Sequence, residues 1–379
     1  EPAETPPSQV TDLRGIDRSQ ETMTLAWTAP GDDGDTGTAA SYDIRYSKSH
    51  INAKNWEVAK RFRSSLLPQE AGTQQVVTIA DLEFDQKYYF GLVAFDDAGN
   101  RSELSNVAQA STLDTTTQVS VSSASELYDA VANVKSFTTI ELADGIYPVD
   151  KELRIGGTGG EPLKHVTIKG QSGDRAAVVL QGNGMNNSAG ANILLKIRNA
   201  VDCTVQDMTI RDAYYHHIQV KGNQGAQSPK LKNLHLIDAG QQFVKINKAD
   251  HGLIENCEFE FTDHAKYWQN KPGGTYYYTK AVDILRGEDW VIRDNIFKRI
   301  RAPQNDPNLP SGITKAAIEV WRGSKNTLVE RNKFIDCDRA IFFGNTSGDN
   351  IDHDDGVNKN NKIYRNLEQK GDTAKALNN

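Results

Sequence analysis

The chain is poor in cysteine, in long apolar runs and in positive charge. Three cysteines in 379 residues cannot form a disulfide framework, so Cys203, Cys257 and Cys337 are expected as small buried hydrophobes. No apolar run is long enough to cross a bilayer, and membrane insertion is therefore not expected. The net charge of −7 disfavours nucleic-acid binding, because phosphate neutralisation needs a basic face.

The length and the first residues indicate the general class of protein. A chain of 379 residues exceeds one average domain, so two domains are expected. It begins at Glu1 rather than methionine and continues with Pro2, Pro6 and Pro7. This start suggests a processed N-terminus and a secreted, extracellular or periplasmic protein.

A two-residue motif recurs through the C-terminal two-thirds of the chain. Each copy places a turn residue two positions before a large apolar residue. Successive copies are roughly 23 to 38 residues apart, as in a solenoid whose coils carry insertions. This spacing predicts a parallel β-helix. The copies are Met208/Ile210, Leu234/Leu236, Cys257/Phe259, Asn295/Phe297 and Asn332/Phe334, with Asn366 as a partial sixth.

The second strand of each repeat carries two apolar residues one position apart, which is typical of a strand with one buried face. When these residues face the interior, the residue between them faces outward, and coils stacked about 4.8 Å apart bring such residues side by side. The apolar pairs are Ile218/Val220, Val244/Ile246, Val282/Ile284, Ile318/Val320 and Ile341/Phe343. The predicted outer row is Gln219, Lys245, Asp283, Glu319 and Phe342.

The N-terminal residues alternate between apolar and polar in short runs separated by turns, as in a β-sandwich. Trp27 stands where a core tryptophan is expected, and Leu82 precedes Tyr88 by six residues, as in a tyrosine corner. Residues 1–112 therefore resemble a fibronectin type III domain. The resemblance implies a spacer or docking module and no catalytic activity.

Residues 113–121 are rich in threonine and serine and are predicted to form a linker. After the linker, Ser125 is expected to cap a short helix that ends near Val134, with Leu127 and Val131 on its apolar face. This helix is expected to cover the open end of the first coil.

Residues 122–379 resemble the pectin-lyase-like right-handed parallel β-helix superfamily. The alignment of Asn295, Asn332 and Asn366 is similar to the asparagine ladder of that superfamily, in which stacked amides hydrogen-bond along one turn. The predicted fold class is all-β, a fibronectin type III β-sandwich followed by a right-handed parallel β-helix with an N-terminal capping helix. The resemblance implies a substrate groove on the outer face.

Two insertions are expected to rise beside the outer row, one between Phe259 and Val282 and one between Phe297 and Ile318. Aromatic side chains suit sugar rings, although about half of those in the first insertion are expected only to pack the loop. The predicted substrate-binding residues are Trp268, Tyr276, Tyr277 and Tyr278 in the insertion, and Gln219, Lys221, Asn247 and Trp321 on the sheet.

The charged groups of this region suit β-elimination of a uronic-acid polysaccharide. That reaction needs a base for the proton α to the carboxylate, a cation that neutralises the carboxylate and an acid for the leaving oxygen. The alginate lyase and chondroitinase B family pairs a lysine with an arginine from the next coil, and Lys245 with Arg286 resembles that pair. Arg322 is expected as a second carboxylate clamp, and Lys248 is a rival for the base.

Two further expectations concern protonation and metal. His217 is expected to face outward beside Gln219, either as a proton donor or as a hydrogen-bonding cap of the groove. Asp283 favours the charged form of Lys245 and so weakens this lysine as a base. Ca²⁺ bound by Asp283 and Glu319 would remove the difficulty, because carboxylate oxygens suit a hard cation.

Two other functions remain open. Asp283 and Glu319 could hydrolyse a glycosidic bond, since two carboxylates about 5 to 5.5 Å apart serve retaining enzymes. However, the clustered aspartates and His-containing motif of polygalacturonase-like hydrolases are not found in this sequence. Alternatively, the outer row is a solvated surface of a non-catalytic carbohydrate-binding protein or adhesin. The expected partner is an acidic polysaccharide, and the expected state is a monomer.

Overall fold

The structure is a computed structural model in which the chain divides into two compact units, Glu1–Thr115 and Thr116–Asn379. For residues 268–271 and 274–276 it describes the backbone only. The residues described are 5–63, 66–266, 268–271, 274–276, 279–303, 314–344 and 353–364.

The first unit consists of two antiparallel sheets with the strand orders β1-β2-β5 and β4-β3-β6-β7. A 3₁₀ turn, Trp56–Val58, precedes the fourth strand. The strands are β1 (Arg14–Arg18), β2 (Met23–Thr28), β3 (Ser41–Ser47), β4 (Lys60–Phe62), β5 (Gln74–Ile79), β6 (Lys87–Phe95) and β7 (Ala108–Ser111).

Aromatic residues form the centre of this sandwich. Trp27 is fully buried, and its ring meets Tyr42 edge to face at a centroid distance of 5.2 Å. Tyr88 and Leu82 are buried, and the backbone N–H of Glu83 donates a hydrogen bond to the Tyr88 hydroxyl at 3.0 Å. These contacts confirm the predicted β-sandwich and its tyrosine corner.

The second unit is a stack of coils made of short parallel strands, with one α-helix, α1 (Ala124–Ala132), near its start and a 3₁₀ turn at Gly222–Gln224. The strands of the first coils are β8 (Thr117–Val121), β9 (Thr138–Leu142), β10 (Gly145–Pro148), β11 (Leu153–Ile155), β12 (Leu163–Lys164), β13 (Thr167–Gly170), β14 (Val178–Gln181), β15 (Ile193–Arg198), β16 (Ala200–Val201), β17 (Thr204–Ala213) and β18 (His216–Lys221). The middle coils contain β19 (Lys230–Ala239), β20 (Gln242–Asn247), β21 (Leu253–Glu255), β22 (Glu258–Glu260), β23 (Trp268–Lys271), β24 (Gly274–Tyr276), β25 (Lys280–Leu285), β26 (Val291–Arg293) and β27 (Ile296–Lys298). The last coils contain β28 (Ile318–Trp321), β29 (Ser324–Lys325), β30 (Leu328–Glu330), β31 (Lys333–Ile335), β32 (Ile341–Phe343), β33 (His353–Asp354), β34 (Val357–Lys359) and β35 (Lys362–Tyr364).

Parallel pairing runs from coil to coil on every side of this stack. Strands β11-β15-β18-β20-β25-β28-β32 form a seven-stranded parallel sheet, which we call the site sheet. A fifteen-stranded sheet forms the other walls, and its long strands β17 and β19 join two of its columns. The predicted fold class is confirmed as a fibronectin type III sandwich followed by a parallel β-helix.

The start of the second unit differs from the prediction in two details. Residues Thr117–Val121, predicted as linker, form β8, which pairs in parallel with β9 and extends the wall by one strand. The helix N-cap is Ser123 rather than Ser125, because the Ser123 hydroxyl accepts a hydrogen bond from the backbone N–H of Glu126. Leu127 and Val131 are buried, as predicted for the apolar face of this helix.

The interior of the coils carries two stacked ladders. Phe259, Phe297 and Phe334 stack face to face, with ring centroids 4.8 and 4.9 Å apart. The Asn332 amide donates to the Ile292 carbonyl and to Asn361 Oδ1, both at 2.9 Å, and its Oδ1 accepts two hydrogen bonds from Asn295 at 3.0 Å.

Asn361 therefore continues the asparagine ladder, and the prediction of Asn366 as the sixth copy is wrong. Asn361 stands two positions before Ile363, which pairs in register with Phe334, so it has the spacing of the earlier copies. Asn366 itself lies outside the described residues. The last repeat, 361 − 332 = 29 residues, is shorter than the two before it, which are 295 − 257 = 38 and 332 − 295 = 37 residues.

The cysteines behave as predicted. Cys203, Cys257 and Cys337 are free and buried, and burial raises the pKa of each thiol to about 12. Thiols protonated throughout the physiological range behave as small apolar side chains.

We predict that Asn332→Ala lowers the free energy of unfolding by about 3 kcal/mol, because it leaves buried polar groups of two coils without partners. Urea denaturation followed by circular dichroism measures the loss. The exposed neighbour Lys333 provides the control, and Lys333→Ala is expected to change stability by less than about 0.5 kcal/mol. Equal losses in the two variants would contradict a stabilising ladder.

Candidate active site

The outer row exists in the register that the sequence predicts. On the site sheet, Gln219 pairs with Lys245, Lys245 with Asp283, Asp283 with Glu319, and Glu319 with Phe342. Their strands lie about 4.8 Å apart, so these residues are side by side on one face. The geometric basis of the site prediction is therefore present, although it does not by itself assign a role to any residue.

The middle of the row is a buried network of alternating charges. Asp283 and Glu319 are 0% and 1% exposed, and between them lies the ammonium of Lys280, 2.9 Å from Asp283 Oδ1 and 2.7 Å from Glu319 Oε2. Lys245 forms an ion pair with the other oxygen of Asp283. Two cations and two anions are thus paired, as burial of charge requires.

Lys280 is a member of the site that sequence reasoning missed. It has the same parity along the strand as the core residues Val282 and Ile284, which predicts an inward side chain. However, its ammonium contacts the carboxylates of Asp283 and Glu319, which belong to the outer row. The alternation of the strand therefore breaks before Val282, and the Lys280 ammonium reaches the carboxylates of the outer row.

The network fixes the protonation of Asp283. Burial alone would raise the pKa of this carboxyl, but the ammonium groups of Lys280 and Lys245 outweigh burial and hold its pKa well below the usual range. Asp283 is therefore a carboxylate at any physiological pH and has no proton to donate.

The same break in alternation overturns the prediction for His217. Its side chain is fully buried with its ring 5.2 Å from that of Phe243, rather than facing outward. Burial lowers its pKa to about 3, so the imidazole is neutral near pH 7 and cannot serve as a proton donor to a surface substrate. The consecutive buried pairs are His217/Ile218, Phe243/Val244, Ala281/Val282 and Ala317/Ile318.

The donor set does not fit the predicted Ca²⁺ site. A bridging ion needs free carboxylate oxygens from Asp283 and Glu319, but the Lys280 ammonium already lies within 2.9 Å of both groups. The indole N–H of Trp321 also donates to Asp283 Oδ1 at 2.9 Å. Lys280 thus supplies the positive charge expected of a metal, and we derive no step through calcium.

A second arrangement of charge lies where strands of the site sheet end. Lys248, Arg286 and Arg322 follow β20, β25 and β28, and each has a left-handed backbone, with φ of 55°, 57° and 60°. The N–H of Lys248 donates to Leu285 and that of Arg286 to Trp321. The three exposed residues therefore occupy the same turn position in successive coils, and we call them the cation column.

The cation column lines a pocket of about 220 Å³. Its walls are the side chains of Asn223, Asn247, Lys248, Leu285, Arg286 and Arg322. Among these lining residues none is acidic, and no ion pair joins the column to a carboxylate in the described ranges. Uncompensated cations beside amide groups suit a carboxylate or another oxyanion.

Of the predicted binding residues on the site sheet, one lines this cationic pocket and the rest lie elsewhere on its strands. Asn247 lines it, Lys221 is the partner of Asn247 one coil above, and Gln219 lies beside Lys245. Trp321 pairs with Leu285 and is 9% exposed.

The predicted aromatic wall is described only in part. The backbones of Trp268 and Tyr276 pair across the antiparallel strands β23 and β24. Tyr277 and Tyr278 lie outside the described residues. The role of these aromatic residues stays a prediction.

Lys315 is a further residue that sequence reasoning missed. It is half-buried, and burial lowers its pKa. The nearby Lys280 and Arg339 lower this pKa further, while Glu319 opposes them. No motif marks Lys315 in the sequence, because of these three charged groups only Glu319 belongs to the same coil, and Lys280 and Arg339 come from neighbouring coils.

A carboxylate cluster on the opposite wall forms salt bridges. His235, Glu258 and Glu260 could together offer three metal ligands. However, Arg175 contacts Glu258 at 2.9 Å, and Lys298 pairs with the same carboxylate. These cations already neutralise Glu258, so the cluster is best described as an ion-pair network.

The fold and the site define a two-unit β protein, in which a fibronectin type III sandwich precedes a parallel β-helix with a cationic pocket on its site sheet. In the described residues, no helix is long and apolar enough to cross a membrane. Residues 6–111 match the family model of the fibronectin type III domain.

Curated relatives share a limited part of the chain. The human calcium-activated chloride channel regulator 1 is 34% identical over 112 residues, which are 28% of this chain and 12% of that protein. The mouse calcium-activated chloride channel regulator 2 is 34% identical over 119 residues, 27% of this chain and 12% of its own length. The chain thus spans about an eighth of the length of these relatives.

Two solved structures align with a large part of the chain. An alginate lyase from Paenibacillus sp. str. FPU-7 aligns with a TM-score of 0.39 and 14% identity, over 66% of this chain and 98% of the other. The Family 28 exopolygalacturonase of Yersinia enterocolitica aligns with a TM-score of 0.32 and 10% identity, over 95% and 86%. At this level of similarity, function must be argued from the residues of the site.

We predict that Lys280→Met lowers the free energy of unfolding by about 3 to 5 kcal/mol, because it leaves two carboxylates buried with too few cations. The side chain of Lys325 is 49% exposed. Lys325→Met is therefore the matched control and is expected to change the free energy of unfolding little. Chemical denaturation measures both. A loss in Lys280→Met no larger than in the control would contradict the buried network.

We also predict that neither Ca²⁺ nor EDTA shifts the melting temperature of the wild-type protein through the outer row, because Lys280 occupies the space between its carboxylates. Differential scanning calorimetry with and without millimolar CaCl₂ tests this. A calcium-dependent rise in Tm that Glu319→Gln abolishes would show that the ion displaces Lys280.

Proposed function

We propose that the chain is a secreted polysaccharide lyase that cleaves a uronic-acid-containing polysaccharide by β-elimination. The observation that supports this most directly is the pocket lined by Lys248, Arg286 and Arg322 without a compensating carboxylate. A uronate presents one carboxylate per sugar, and neutralising it is the main requirement for removing the neighbouring proton.

In the proposed reaction, a base removes the proton from the carbon next to the carboxylate. The electron pair forms a carbon–carbon double bond, the bond to the glycosidic oxygen breaks, and that oxygen takes up a proton. Arg286 and Arg322 bind the carboxylate and stabilise the negative charge that develops on it. Arginine suits this role because its planar guanidinium binds both carboxylate oxygens.

The structure favours Lys248 over Lys245 as the base. The ammonium of Lys245 is already engaged in an ion pair with the buried carboxylate of Asp283, and Lys245 does not line the pocket. Lys248 lines the pocket together with both arginines. A base must reach a proton adjacent to the bound carboxylate, and the place of Lys248 in the same pocket supports this role.

Hydrolysis by Asp283 and Glu319 finds less support. One carboxyl of such a pair must carry a proton at the working pH. The low pKa of Asp283 excludes this for one residue, and both carboxylates are held by Lys280 in a buried site. We therefore do not propose the glycoside hydrolase alternative.

We predict that Arg286→Ala lowers kcat/KM by about a hundredfold on the substrate, because the loss of one charge-assisted contact destabilises the developing anion. The substrate is first found by incubating the protein with alginate, polygalacturonate, chondroitin sulfate and a neutral glycan. Ultraviolet absorbance of the unsaturated product and reducing ends are followed together.

Arg331 provides the control for this experiment. It is also exposed, with a left-handed backbone (φ of 55°), but lies away from the pocket, so Arg331→Ala should keep full activity.

Lys248→Ala should abolish activity. If activity is lost only in Lys245→Ala, the base is Lys245 instead. Reducing ends without ultraviolet absorbance would indicate a hydrolase, and binding without products would indicate an adhesin. Either result would overturn the proposal.

A further inference from the structure

We infer that Asp283 and Trp321 are positioning residues that hold the guanidinium of Arg322 at the cationic pocket. This inference deepens the proposed function and rests on it. It also assigns a structural role to the buried network, because Asp283 of that network is hydrogen-bonded to Trp321, and Trp321 contacts Arg322 of the pocket. Neither residue needs to contact the substrate.

The first step is the fixed indole of Trp321. Its Nε1–H donates to Asp283 Oδ1 at 2.9 Å, and the side chain is 9% exposed. The Lys280 ammonium lies 4.9 Å from the centre of the ring. The same carboxylate oxygen accepts from Lys280. Asp283 therefore holds both the edge of the indole and the cation on its face, which leaves the ring little freedom to rotate.

The second step joins the indole to Arg322. The guanidinium carbon of Arg322 lies 4.6 Å from the centre of the Trp321 ring, within the range of a cation–π contact. An exposed arginine otherwise loses much rotamer freedom when it binds a ligand. Because the ring already restrains this side chain, less freedom is lost when a carboxylate binds.

The backbone of the turn is fixed as well. The Ser324 hydroxyl donates to the Trp321 carbonyl at 2.8 Å and accepts from the N–H of Gly287 at 3.1 Å. Ser324 therefore ties the Arg322 turn to the Arg286 turn of the preceding coil. Gly287 is required there, since a Cβ would lie within 2.8 Å of the Ala249 carbonyl oxygen.

This arrangement changes the role expected of Trp321. The sequence predicts it as a substrate-binding residue on the sheet. In the structure it is nearly buried, and Arg322 and Lys280 both lie against its ring. We therefore assign its effect on binding to Arg322 and no direct contact with the glycan. Arg286 follows Leu285 at the equivalent position, so the residue before it is aliphatic and supplies no aromatic ring.

The test is a double-mutant cycle between Trp321 and Arg322. Binding of oligosaccharides of alginate, polygalacturonate and chondroitin sulfate is measured by isothermal titration calorimetry for the wild type, Trp321→Leu, Arg322→Ala and the double variant. Trp321→Leu should raise Kd and KM about fivefold, the size of a cation–π contact, and leave kcat within about twofold. In the Arg322→Ala background the same change should have no further effect.

Two more variants separate positioning from folding. Trp321→Phe keeps an aromatic face but loses the hydrogen bond to Asp283, so its Kd should fall between those of the wild type and Trp321→Leu. Tyr147→Phe removes buried hydrogen bonds to the Val121 and Ala143 carbonyls in the first coil. It should lower Tm without changing Kd.

The outcomes are distinct. If the wild type binds none of the oligosaccharides, the proposed function and this inference fall together. If it binds and Trp321→Leu does not change Kd, only the inference is overturned. If Trp321→Leu weakens binding equally with and without Arg322, Trp321 contacts the glycan itself and is not a positioning residue.

Discussion

The site depends on the register in which successive coils hydrogen-bond to one another. Each coil aligns its turn with the turn of the next coil, as the bonds from Lys248 to Leu285 and from Arg286 to Trp321 illustrate. A slip of one residue would move every side chain of a strand to the opposite face. The asparagine ladder of the interior and the paired strands of the walls hold this register along the stack.

Register produces two charge arrangements with opposite consequences. In the outer row, alternating lysines and carboxylates are buried, and they neutralise each other because isolated buried charges are costly. In the cation column, three like charges lie at an exposed turn, where water screens their repulsion. In the first arrangement the charges are already paired. In the second, the cations have no carboxylate partner among the described residues and can bind an anion. We therefore place substrate binding at the turn and structural support in the row.

The sequence predicts the outer row because strands with a buried face follow period two, and coils of similar content stack in register. It misses Lys280 and misplaces His217 because the strands bend, with two consecutive residues facing the core, and no composition signal marks such a bend. The sequence predicts Arg286 and Arg322 as carboxylate clamps, since each directly follows a strand of the site sheet. Their shared left-handed turn, and Lys248 beside them, required the coordinates. Lys315 was missed because the cations that act on it, Lys280 and Arg339, belong to neighbouring coils.

The most direct test of this account is a crystal structure of the protein with a bound acidic oligosaccharide from the glycan that it cleaves. The account predicts a sugar carboxylate within about 3 Å of both Arg286 and Arg322, with Lys248 Nζ, as the neutral amine, facing the adjacent carbon and Trp321 still bonded to Asp283. A glycan seated on Lys245 and Glu319, with the cationic pocket empty, would contradict it.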